Sequence, residues 1–144
     1  MVRGDFRPVI VDVGLAKHET AGERTITEVG QLIGTPAYLA PEILAGRPAD
    51  IRADVYTIGM LLFEMLARRP ARPQGQLFEV LRAAMSEDVD VDALDTASPE
   101  LRETLRRILA REPGARFATP AQAREALAAT PEAVGATSDP RPVP

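Results

Sequence analysis

The segment from residue 54 to residue 68 constrains this chain more than any other. Val55, Ile58, Met60, Leu61, Leu62, Phe63, Met65 and Leu66 fall on nearly every face of a helical wheel, and a helix that is apolar all round belongs at the centre of something larger. Asp54 opens it as a side chain able to accept from free backbone N–H groups, and Pro70 and Pro73 stop it. Its full cover is expected from segments this chain does not carry, so the isolated chain should expose an apolar patch and associate or aggregate. At 144 residues, 45% of them hydrophobic, a chain can bury roughly two-thirds of its unfolded surface, so a genuine core is possible.

The flanking segments carry helix punctuation. Pro41 at a first helical position and Gly46 after Ile43-Leu44-Ala45 bracket a short helix. Leu77, Val80, Leu81 and Ala84 give a one-sided helix. Ser98-Pro99-Glu100 is a strong start, with Ser98 as N-cap, and Leu101, Leu105, Ile108 and Leu109 follow at helical spacing. Thr119-Pro120 repeats the device before Ala123 and Leu127. Val9-Ile10-Val11 suits a short buried strand, fed by a turn at Arg3-Gly4-Asp5, and residues 15–33 show no sustained period and read as a long loop. Four prolines fall in the last 14 residues, so residues 131–144 are expected to form a disordered tail. The fold class predicted is mainly α, with a short β-hairpin at the N-terminus.

Several function classes are excluded or disfavoured. There is no cysteine, and His18 is the single histidine, which removes disulfides, thiolate zinc sites and histidine clusters. The net charge is -4 with scattered arginines, so the footprint of a nucleic-acid binder is missing. The longest apolar run, residues 58–63, is about a third of a membrane span. The chain reads as cytoplasmic. Asp88-x-Asp90-x-Asp92 copies the opening of a calcium loop, but Ala93 and Pro99 stand where that loop needs Gly and Glu, which leaves a solvated acidic loop.

The informative constellation is Asp12-Val13-Gly14, then Gly34-Thr35-Pro36-Ala37-Tyr38-Leu39-Ala40-Pro41-Glu42, then Asp54-Val55-Tyr56-Thr57-Ile58-Gly59, then Arg116 after Glu112-Pro113. Singly each is weak. In this order, with a loop between the first two and an apolar helix after the third, they resemble the C-terminal lobe of a eukaryotic-type serine/threonine protein kinase domain of the kind also found in bacteria. The resemblance covers about residues 8–130 of a truncated domain expected over residues 1–130, and its most specific part is the run from Gly34 to Glu42.

The resemblance implies roles. Asp12 matches the aspartate that holds magnesium against the ATP phosphates, and Gly14 the glycine of the turn behind it. Val13 stands where that motif usually has phenylalanine, so the ring of its packing switch has no counterpart here. Residues 15–33 match the activation segment, with Thr27 and Thr25 as phosphoacceptors whose phosphates would order the loop against arginines. Gly34 and Thr35 match the protein-substrate platform. Glu42 and Arg116 match a buried ion pair tying that platform to the last helices, and Asp54 an aspartate that caps the central helix and holds the catalytic loop. ATP and Mg2+ follow as family co-substrate and cofactor, and a protein substrate or partner protein as the binding partner.

Phosphoryl transfer also needs a glycine-rich loop, a lysine held by a glutamate, and a catalytic aspartate with a downstream asparagine. None has a match here, and Lys17, the single lysine, follows Asp12 and is misplaced for the phosphates. The expectation is a truncated kinase domain with no catalytic aspartate, inactive as this polypeptide. The alternative is a stand-alone pseudokinase fragment used as a protein-binding module.

Overall fold

A computed structural model of the chain describes residues 36–72 and 77–137, all within the unit Gln31–Pro144. The predicted hairpin and activation segment lie outside those residues. A 3-10 turn Pro36–Tyr38 leads to α1 (Pro41–Leu44), α2 (Ile51–Ala67) and α3 (Leu77–Ser86). After a 3-10 turn Val91–Ala93 come α4 (Pro99–Ile108), a 3-10 turn Pro113–Ala115, α5 (Pro120–Ala128) and α6 (Pro131–Thr137). No strand occurs among the described residues, and the mainly-α class holds.

The central helix starts three residues earlier than its sequence suggests. Asp50, in an extended conformation, is the N-cap, and its carboxylate accepts from Arg52 N at 2.8 Å. Asp54 lies in the first turn, exposed, where its charge meets the positive end of the helix dipole. The helix ends at Arg68, which adopts the left-handed conformation (φ 53°) that glycine usually supplies at this position.

Ala53, Tyr56, Met60 and Phe63 recur at helical spacing on the inner face of α2, with Val55 and Gly59 beside them. They meet Leu101, Leu105 and Ile108 of α4, Val91 and Leu94 of the loop before it, Phe117, and Ala123 of α5 in one core. Met60 and Phe63 are fully buried, each stabilising the fold by about 1.5–3 kcal/mol. Gly59 sets the α2–α4 distance: a Cβ there would overlap Ile108 Cγ2 and stand 3.0 Å from Leu109 Cδ2.

The apolar surface of α2 is covered only in part by the described residues, in line with the apolar patch expected from the sequence. The helix is apolar all round, yet Ile51, Ile58, Leu61, Met65 and Leu66 remain 39–69% exposed. The helices packed on it within the described region, α4 and α5, reach one side only.

The caps of the last helices follow the sequence. Ser98 Oγ accepts from Leu101 N at 3.1 Å with Pro99 at the first position, and Thr119 Oγ1 accepts from Gln122 N at 3.3 Å. The predicted tail is corrected over residues 131–137, which form α6, while residues 138–144 lie outside the described residues. Glu132 anchors it to the start of α4, accepting from Ser98 N at 2.6 Å and from Ser98 Oγ at 2.9 Å. These bonds hold the Glu132 carboxyl below its ordinary value of 4.5, the Ser98 backbone N–H contributing most. In the acidic loop, Val89 and Val91 point into the core while Asp88, Asp90 and Asp92 stay exposed, Asp92 pairing with Arg106 at 2.9 Å.

Candidate functional site

Of the residues singled out in the sequence, Asp12, Gly14, Thr25, Thr27, Gly34 and Thr35 lie outside the described part of the chain. The motif enters it at Pro36, so the observable site is the turn after Thr35 and the side chains supporting it.

That turn is held at successive points. Arg72 Nη1 donates to Ala37 O at 3.1 Å. Thr57 Oγ1, on α2, donates to Tyr38 O at 3.2 Å. The Tyr38 hydroxyl donates to Glu64 Oε2 at 2.7 Å, while Glu64 Oε1 accepts from Ala71 N at 3.1 Å. The bond to Glu64 keeps the phenol protonated and raises its pKa above 10.0, with burial adding to the effect. The carbonyl of Ala40, a fully buried residue, then accepts from Ile43 N at 3.0 Å and Leu44 N at 3.2 Å, which opens α1.

The first turn of α1 carries Glu42, 2% exposed, and the structure brings it to Arg116, 3% exposed and far along the chain. The pair is bidentate, Nη1 to Oε1 at 2.7 Å and Nη2 to Oε2 at 2.8 Å. Arg116 also donates from Nε to Ala110 O at 2.7 Å, from Nη1 to Arg52 O at 3.0 Å and from Nη2 to Arg111 O at 2.9 Å. A guanidinium has five N–H donors, and all five are engaged here. One side chain thereby ties α1, the first turn of α2 and the α4–α5 connection together.

Tyr56, buried on α2, stands between two guanidinium groups, with Arg116 4.7 Å and Arg72 5.6 Å from its ring centroid. Burial pushes its phenol above 10.0 despite both cations, and Arg72 Nη2 donates to its hydroxyl oxygen. Asp54 joins none of these contacts and is exposed.

Sequence reasoning did not single out Tyr38, Tyr56, Glu64 and Arg72 as support. Glu64 left a signal, as the one charged residue between Val55 and Ala67. Arg72 left none, since an arginine between Pro70 and Pro73 looks like surface charge. The cluster contains no nucleophile poised beside a base. Its chemistry is to fix backbone, making the turn Pro36–Tyr38 and the start of α1 a rigid base.

Comparison with known proteins gives this base a family. Residues 2–129 match the protein kinase domain. The serine/threonine-protein kinase PkaA of Streptomyces coelicolor is 39% identical over 83 residues, covering 58% of this chain and 15% of that protein. PknB of Mycolicibacterium smegmatis is 31% identical over 120 residues (82% and 19%), and the serine/threonine-protein kinase fused of Drosophila melanogaster 32% over 108 residues (75% and 13%). The chain spans less than a fifth of the length of each of these relatives. With that match over most of its length and the motif run from Gly34 to Glu42 leading into the buried Glu42–Arg116 pair, the chain belongs to the protein kinase family, on its eukaryotic-type serine/threonine branch.

Proposed function

We propose that residues 1–144 supply the C-terminal, substrate-facing part of a kinase domain that transfers the γ-phosphoryl group of ATP to serine or threonine hydroxyls of proteins. The observation that carries this reading is the Glu42–Arg116 pair with every guanidinium donor engaged, because it makes a stiff footing for the residues that follow Thr35. Positioning is most of what phosphoryl transfer asks of a protein. In this reading Gly34 and Thr35 form the platform for the protein substrate, and Thr27 and Thr25 are the phosphoacceptors that order the loop before it. Asp12 would hold magnesium, and Gly14 would belong to the turn behind it. A single carboxylate suits a hard cation that takes one or two protein oxygens beside the nucleotide phosphates, and the ion's contribution when bound is to neutralise phosphate charge. A cytoplasmic setting belongs to the same reading, since ATP is the co-substrate.

Within residues 1–144 no glycine-rich loop, phosphate lysine or catalytic aspartate has a match, so this polypeptide by itself is inactive in the same proposal. The exposed apolar face of α2, with Ile58, Leu61 and Met65, favours a second reading, in which the chain acts as a pseudokinase-like protein-binding module. One experiment separates the two. Labelled ATP, Mg2+ and a basic protein substrate are incubated with the 144-residue chain, and with a hybrid in which the N-terminal lobe and catalytic loop of the mycobacterial relative precede residue 1. The proposal expects label transfer by the hybrid only. A folded hybrid without transfer would favour the binding module, and transfer by the chain alone above an Asp12→Ala control would overturn the predicted inactivity.

A further inference from the structure

Arg72 is 6% exposed, and among the described residues no carboxylate is paired with it. Burial lowers its pKa, and Arg111 works in the same direction. A guanidinium taken out of water without a counter-ion is costly, so its neighbours need to account for its place. Its donors reach three separate elements: Ala37 O in the turn Pro36–Tyr38 at 3.1 Å, the Tyr56 hydroxyl on α2, and Ala84 O on α3 at 3.5 Å. Nε has no partner. An apolar side chain of similar length would fill the space but leave the Ala37 carbonyl without this donor. A lysine ammonium, a compact point charge, cannot span three acceptors in the fixed fork of a guanidinium.

The residue before it acts on the same turn. Ala71 N donates to Glu64, whose other oxygen accepts from Tyr38. Residues 71 and 72, just after α2, therefore grip the turn twice, once directly at Ala37 and once through Glu64 at Tyr38.

We infer that Arg72 is a positioning residue for the protein substrate: it clamps the turn Pro36–Tyr38, which follows Thr35 in the chain, to α2 and α3. The substrate part of this inference rests on the proposed kinase function, whereas the clamp does not.

The test has two arms. Hydrogen exchange on the 144-residue chain compares a peptide covering residues 37–44 with one covering α4, in wild type, Arg72→Met and Arg72→Lys. Exchange at 37–44 is expected to rise about tenfold relative to α4 in Arg72→Met, the scale of a lost hydrogen bond to a charged donor, and by a smaller factor in Arg72→Lys. If Arg72→Met does not fold, the lysine variant decides alone. An unchanged ratio, or equal acceleration in both peptides, overturns the clamp. In the hybrid kinase, Arg72→Lys is expected to raise KM for a peptide substrate severalfold while KM for ATP stays within about twofold. Equal changes in both, with the clamp intact by exchange, overturn the substrate role, and a hybrid that transfers no phosphate overturns the kinase reading beneath it.

Discussion

Replacing Arg116 by methionine removes one side chain and disturbs five acceptors. Glu42, 2% exposed, keeps a carboxylate with neither of its bonds at 2.7 and 2.8 Å, and Arg52 O, Ala110 O and Arg111 O each lose a donor. Breaking a buried pair by removing one partner costs about 3–5 kcal/mol, because the remaining charge stays out of water. A domain of this size has about 5–15 kcal/mol in total, so Arg116→Met is expected to leave the fold marginal. At about 3 °C per kcal/mol the melting temperature falls by roughly 10–15 °C. Replacing both members, Glu42→Met with Arg116→Met, removes the stranded charge, so the double variant is expected to be more stable than Arg116→Met alone. Urea titration followed by helical circular dichroism, run as a double-mutant cycle, reads both quantities. A loss below about 1 kcal/mol for Arg116→Met, or a double variant with the sum of the two single losses, would refute the reasoning.

Gly59→Ala is expected to destabilise by about 1–3 kcal/mol, since the new methyl group collides with Ile108 on α4 and overpacks the helix crossing, and thermal melts check it. Arg68→Gly is expected to stabilise by up to about 1 kcal/mol by relieving the left-handed conformation at the end of α2, seen as a higher urea midpoint with an unchanged slope. The folded Glu132 pKa is lowered, so the stability it contributes is present above the ordinary carboxyl value of 4.5 and is lost as pH falls through the folded value. Exchange of the α6 amides should accelerate over that acidic window in wild type and be insensitive to it in Glu132→Gln.

The parts of this fold legible in the sequence are those decided locally. Ser98, Thr119 and Pro41 mark helix starts because a cap hydroxyl or a proline acts within one turn of itself. Asp50 and Asp54 are equally good caps on paper, and the structure takes the one whose backbone is extended just outside the helix. Residues 131–137 repeat a Thr-Pro opening, and α6 is held by Glu132 against a serine 34 positions earlier. That contact has no local signature. The same holds for the site. Glu42 and Arg116 were visible through motif order, whereas the placement of Arg72 depends on three acceptors from three elements. The apolar face of α2 is the converse case: composition shows that it is greasy, but burial depends on what packs there.

The central claim, that these residues form the substrate-facing part of a serine/threonine kinase domain, meets its most direct test in phosphoamino-acid analysis of a protein substrate treated with the hybrid kinase, with and without Asp12→Ala. The expected result is phosphoserine and phosphothreonine with the hybrid, and loss of both in the Asp12→Ala variant. A folded hybrid that yields no phosphoamino acid, or the same yield when Asp12 is replaced, would contradict the claim.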